Sequence, residues 1–162
     1  MRRLVTVGGY GFTQHRFLEV LNQAGVDALV DVRQRRGVRG PVYRFLNRAR
    51  LEGLLRTAGI TYIYAPQLAP TTSIRAAQAA ADAAQSIRKR DRIALSPTFV
   101  EGYAANVLER LDVSAFLKKV EPFNVVALFC VEKLPSACHR SLAADYIAEH
   151  TSLEAPVEHL LP

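Results

Sequence analysis

The chain has 162 residues, of which 49% are hydrophobic and 22% charged, a balance that excludes disorder and gives enough length to bury a core. No stretch reaches the roughly 20 apolar residues of a membrane-spanning helix, and Met1-Arg2-Arg3-Leu4-Val5 runs straight into a strand-like segment without a secretory apolar region, so a cytoplasmic protein with no membrane partner is expected. The net charge of +6 and pI near 9.7 come mostly from arginine, whose planar guanidinium suits phosphate-bearing ligands.

Leu4-Val5-Thr6-Val7 reads as a first strand, ending in the turn Gly8-Gly9-Tyr10-Gly11. From Gln14 to Ala24, Phe17, Leu18, Val20 and Leu21 form a helical stripe that Gly25 closes. Ala28 to Val32 is a second strand, apolar on both faces as in a sheet covered on both sides. A basic connection from Arg33 to Pro41 leads to a helix over Arg48–Ala58, with Leu51, Leu54 and Leu55 inward and Gly59 as its cap. Ile60 to Tyr64 is the third strand. Thr71 to Arg90 is alanine-rich and reads as a surface helix with a thin apolar face. Ser96 to Val120 carries further helical spacing through Val107, Leu108, Leu111, Phe116 and Leu117. Asn124 to Cys130 is the strongest strand, Ser141 to His150 the helix after it, and Val157 to Leu161 a final short strand. This alternation, without a repeat or linker, predicts one α/β domain over residues 1–162. Its form is three-layer and Rossmann-like, with a mostly parallel sheet and helices on both faces.

Ligands of open parallel sheets bind beyond the carboxyl ends of the strands. Three strands end in chemically distinctive residues: Gly8-Gly9-Tyr10, Asp31-Val32-Arg33, and Cys130-Val131-Glu132 followed by Pro135 and Cys138-His139-Arg140. In the predicted fold they face one crevice. The glycine turn suits a loose phosphate or sugar cradle in which Tyr10 also contacts the ligand. It is neither a G-x-G-x-x-G fingerprint nor followed by a Walker lysine, so no dinucleotide or other cofactor is expected. Arg33, Arg35, Arg36 and Arg39 lie on a loop broken by Gly37 and Gly40, which suits phosphate contact or simple solvation. Arg44, Arg48 and Arg50 extend the basic surface, with Tyr43 a stacking platform and Phe45 better placed in the core.

Asp31 beside Arg33 is either a ligand clamp or an internal ion pair. Glu132 lies on the same side of the chain as Cys130; with Asp31 it supplies paired carboxylates for acid–base or glycosidic chemistry, or it accepts from the following helix N-terminus. Cys138 precedes a helix and has His139 and Arg140 beside it, which favours a thiolate. Ala144 stands where a Cys-x5-Arg loop requires arginine, and the rhodanese-like spacing also fails. Two cysteines are too few for a disulfide scaffold. Seven residues separate Cys130 from Cys138, with no second Cys/His cluster, so no metal site is expected.

These segments together resemble the DUF488 family. The matching stretches are Thr6–Tyr10, Leu29–Arg33, Gly59–Tyr62 and, most specifically, the C-x-E-x-x-P-x-x-C-H-R run from Cys130 to Arg140. The chain departs from that pattern at Arg36 and Val38, and again at Ala69 and Pro70, while Arg39 fits it. The resemblance implies a small α/β protein and brings no reaction with it.

Three readings follow. In the favoured one, an enzyme acts on a phosphate-bearing nucleotide or nucleic-acid ligand: Arg33, Arg39 and Arg140 hold phosphate, Gly8 and Gly9 admit it to backbone amides, and Asp31 and Glu132 do the proton chemistry. Cys138 and His139 then orient or assist, with Cys130 beside them. The others are a nucleic-acid-binding module and a thiol-dependent redox or transfer protein.

Overall fold

The computed structural model describes residues 1–162 apart from Arg90. Five strands form one parallel sheet: β1 (Arg3–Val7), β2 (Ala28–Asp31), β3 (Thr61–Tyr64), β4 (Val125–Phe129) and β5 (Glu158–Leu160), in the order β3-β2-β4-β1-β5. The central strands are buried along nearly their whole length, which explains their unbroken apolar runs. Alternation along each strand sends one set of side chains to each face. Val5, Val7, Leu29, Ala127 and Phe129 pack beneath α1 (Gln14–Gln23) and α2 (Arg48–Thr57). Leu4, Val30, Val126, Leu128 and Cys130 pack beneath the other layer. That layer holds α3 (Thr72–Ala84), α4 (Pro97–Tyr103), α5 (Val113–Val120) and α6 (His139–Glu149).

The expected three-layer parallel architecture is therefore present, with helix ends shifted by a residue or two. The alanine-rich segment is helical only to Ala84, and its expected end at Arg90 lies outside the described residues. The last long helix begins at His139 rather than Ser141, with Cys138 at its N-cap. Between α4 and α5 one turn over Ala104–Leu108 is π-helical, closed by the Glu109 amide on the Ala104 carbonyl. No helix among the described residues is long and apolar enough to cross a membrane.

The chain leaves β1 and β2 toward the α1/α2 face, but leaves β4, which lies between them, toward the opposite face. Connections diverging from neighbouring strands open a crevice at their carboxyl ends. The distinctive residues of the sequence lie around that crevice.

Candidate functional site: a cationic cleft with a thiol–imidazole floor

Beyond β4 lies a cleft of about 400 Å³, lined among others by Tyr10, Arg33, Cys130, Val131, Glu132, Cys138 and His139. Three strand ends thus converge as the sequence predicted, yet their residues do different jobs.

The floor is Cys130, just past β4, with Cys138 and His139 at the start of α6; all three are buried. One ligand-type atom from each lies within 4.8 Å of the others. Cys138 Sγ is 4.0 Å from His139 Nδ1, and His139 Nε2 is 3.1 Å from the Val32 carbonyl. A carbonyl only accepts, so Nε2 carries a proton, and Nδ1 is the nitrogen turned toward Cys138: it bears the lone pair in the neutral ring and donates to the thiolate in the imidazolium. The buried Tyr103 ring and the imidazole pack in a T-shaped pair with centroids 5.5 Å apart, and the Tyr103 hydroxyl donates to the Leu68 carbonyl at 2.6 Å. Burial opposes ionisation of Cys138. Hydrogen bonds from Cys130 and His139, with the charges of His139 and Arg140, outweigh it and hold the Cys138 thiol well below the ordinary thiol range. Cys130 shifts the other way, because its hydrogen bond to Cys138 and its burial both keep its proton on.

Asp31 and Arg33 form an ion pair on the α1/α2 side of the sheet, and Arg33 also lines the cleft. Arg33 Nε and Nη2 grip the two Asp31 oxygens at 2.8 and 2.7 Å, and Nη1 donates to the Leu46 carbonyl at 2.9 Å. The Tyr62 hydroxyl adds a 2.7 Å bond to Asp31, and burial together with that bond pushes its pKa up to about 12. Asp31 has 0% exposure and does not line the cleft; of the two earlier alternatives, the geometry is that of an internal pair. The paired-carboxylate expectation is corrected accordingly. Asp31 projects with Leu29 toward the α1/α2 layer, whereas Glu132 faces Lys89 at 3.0 Å and Arg92 at 4.0 Å across the cleft.

The glycine turn is corrected too. The Gly9 and Tyr10 amides donate to the Val131 carbonyl at 3.2 and 2.8 Å, leaving neither for a phosphate. A Cβ at Gly8 would lie 2.1 Å from the Glu132 carbonyl oxygen, and one at Gly9 2.3 Å from a Leu46 methyl, so these glycines permit close packing of chain on chain. Tyr10 does reach the cleft, its ring 4.8 Å from that of Tyr43. Arg140 contacts neither Glu132's nor Asp31's carboxylate. It is fully buried, with Nη1 on the Glu132 carbonyl at 2.6 Å and Nη2 on that of Lys133 at 3.0 Å, fixing the loop after β4. Arg39 is exposed and away from the cleft. Phe45 is in the core, as expected.

The far wall comes from residues that sequence reasoning passed over. Along α3, Ile74, Gln78 and Asp82 recur every four residues and are buried. Gln78 Nε2 donates to Asp82 at 2.7 Å, while its oxygen accepts from the Ser96 amide at 2.8 Å. Arg92 Nη1 reaches Asp82 at 3.1 Å, and Arg92 Nη2 the Ala137 carbonyl at 3.4 Å. Arg92 Nε is buried without a hydrogen-bond partner among the described residues. The available signal was two polar residues four apart on the face of Ile74, within a helix otherwise filled by alanine.

Charge in the cleft does not balance. Asp31 neutralises Arg33, and Asp82 and Glu132 are taken by Arg92 and Lys89. Arg35 and Arg75 also line the cleft, with no carboxylate partner among the described residues; Arg75 bonds only to Thr71 and Thr72. Val38 and Pro70, two of the departures from the family pattern, line it as well, whereas Arg36 stacks its guanidinium 3.8 Å over the Tyr64 ring.

Neither curated proteins nor solved structures gave a match to the chain. The family model described as "Domain of unknown function DUF488" matches residues 13–147, which span α1 to α6 and all of the cleft's far wall, and the chain belongs to that family.

Proposed function

We propose that the chain binds a phosphate-bearing ligand of nucleotide size in this cleft and acts on it at the thiol–imidazole floor. The observation that carries this reading is the uncompensated charge of Arg35 and Arg75 at the rim of a largely apolar cavity, since unpaired guanidinium groups suit an anion. A volume of about 400 Å³ fits the range of roughly 300–1,000 Å³ usual for small-ligand sites. Val38, Pro70 and Leu95 offer apolar surface to a base or similar group, and Tyr10 a polar edge. Cys138, His139 and Glu132 are the groups placed for chemistry. Asp31 and Arg140 support them from behind, and Arg33, held by Asp31, lines the cleft.

Thermal unfolding with nucleotides, nucleosides, and short DNA and RNA, at low and high salt, tests this reading. A nucleotide at a hundredfold excess over its Kd should raise Tm by roughly 5–10 °C, with little loss at high salt, whereas nucleosides give less. The shift should vanish in Arg35→Ala/Arg75→Ala. Stabilisation by polymers alone, erased by salt, would instead move the ligand to the exposed basic surface around Arg44, Arg48 and Arg50 and refute the cleft reading.

A further inference from the structure

Cys130 lies just past the end of the central strand β4, and Cys138 and His139 are the N-cap and first residue of α6. Their Sγ, Sγ and imidazole nitrogen atoms lie within 4.8 Å of one another. Tetrahedral zinc with Zn–S near 2.3 Å and Zn–N near 2.0 Å sets its ligand atoms about 3.5–3.8 Å apart. The cluster therefore needs a contraction of about 1.3 Å or less, within the reach of a change in χ1. The imidazole is already oriented for such a role: Nε2 donates to the Val32 carbonyl, so Nδ1, on the cysteine side, carries the lone pair in the neutral ring. Metal-bound histidines are held this way, with the second ring nitrogen on a backbone carbonyl or carboxylate. Tyr103 packs against the ring in a T-shaped pair.

We propose that Cys130, Cys138 and His139 are the three protein ligands of a thiophilic divalent cation, zinc foremost, whose fourth position opens into the cleft. Two thiolates and one neutral imidazole make a neutral complex with the dication, which suits a site beside the buried cation Arg140. Cys130, Cys138 and His139 all line the cleft, so a water or an anionic ligand atom can complete the coordination. A Cys2His set with one open position is a catalytic rather than a closed structural arrangement. The cation would act on the ligand's anionic group as a Lewis acid or through a bound water of lowered pKa. The site's long cysteine spacing hides it from motif reading, because a seven-residue loop with a 3-10 turn over Pro135–Ala137, rather than a short knuckle, joins the two cysteines.

The full-length chain, purified under reducing conditions, is stripped with chelator and loaded with Co2+ or Zn2+. The expected result is one ion retained per chain after desalting, with thiolate-to-cobalt charge-transfer and tetrahedral d–d absorption. Cys138→Ala and Cys130→Ala should lose both bands, and His139→Ala should weaken retention at least tenfold. A second measurement needs no variant: zinc should slow alkylation of both cysteines in the wild type, read by mass spectrometry. No retained ion, no protection by zinc, or a Cys130–Cys138 disulfide as the stable form in the metal-free chain would each overturn the proposal. All readings are made without nucleotide, so failure of the nucleotide reading leaves this result untouched.

Discussion

Asp31 and Arg33 are 0% and 3% exposed, and every polar atom of the pair's facing surfaces has a partner. Breaking a buried pair by removing one charge strands the other, at a cost of about 3–5 kcal/mol. Asp31→Asn should therefore lower the unfolding free energy by about that amount in denaturant titration, while Asp31→Leu/Arg33→Met recovers much of it. Cys138 carries a different kind of consequence. Its thiol is depressed in the folded chain, so its contribution to stability is fully present above the unfolded pKa of about 8.5 and is lost as pH falls through the depressed folded value. Stability of the reduced, metal-free chain should rise with pH across that window, and Cys138→Ala should flatten the rise. Cys130, raised in the folded chain, has the opposite sign: its contribution is present below about 8.5 and is lost as pH climbs through its raised folded value. Urea unfolding from about pH 6 to pH 10 reads the Cys138 arm and the onset of the Cys130 arm.

Helix ends illustrate how far local sequence carries. Helices α1 and α2 each stop at a residue of positive φ, Gly25 and Gly59, and the amides of Val26 and Ile60 then reach back to the Leu21 and Leu55 carbonyls. The third such end is less visible. Ile87 reaches back to Asp82 in the same way, but the left-handed residue is Ser86, at φ 55°. A serine there bears a strain that glycine does not, so Ser86→Gly should stabilise the chain by about 0.5–1 kcal/mol, read as a Tm rise of about 1–4 °C. Because glycine marks two ends and not the third, α3 was expected to run past its actual end. Its buried face was misjudged for a related reason. Alanine gives no periodic signal, and the stripe Ile74–Gln78–Asp82 buries polar groups whose partners, Ser96 and Arg92, lie far along the chain.

At the scale of the whole molecule, a doubly covered parallel sheet explains both the core and the position of the site. Both faces of β2 and β4 are buried, which demands two helical layers and, in turn, chain crossings in two directions. The crevice at β4 follows from those diverging crossings rather than from any motif. Charge is arranged on the same scale. Surface cations such as Arg2, Arg16 and Arg48 have carboxylates within 3.2 Å, whereas Arg35 and Arg75 at the cleft have none among the described residues. Formal charge alone, +6 for the chain, could not distinguish a solvated surface from a ligand site.

The sequence by itself determined the strands, most helix boundaries, the parallel α/β class and the family, because apolar periodicity, glycine caps and the Cys130–Arg140 run are local signals. It also identified nearly every chemically unusual residue at a strand end. Only the tertiary structure decided what each one faces. Asp31 and Glu132 are set on opposite faces because β2 and β4 fix their side-chain parity through the register Asp31–Phe129. Arg140 gives Nη1 and Nη2 to backbone carbonyls because the first turn of α6 sets its guanidinium against the loop after β4. Cys130, Cys138 and His139 meet because a strand end and a helix start lie side by side, and α3, in the same layer as α6, contributes the facing wall. Periodicity assigns a side chain to a face; a partner distant in sequence is fixed only by packing, where burial and hydrogen bonding must be satisfied together.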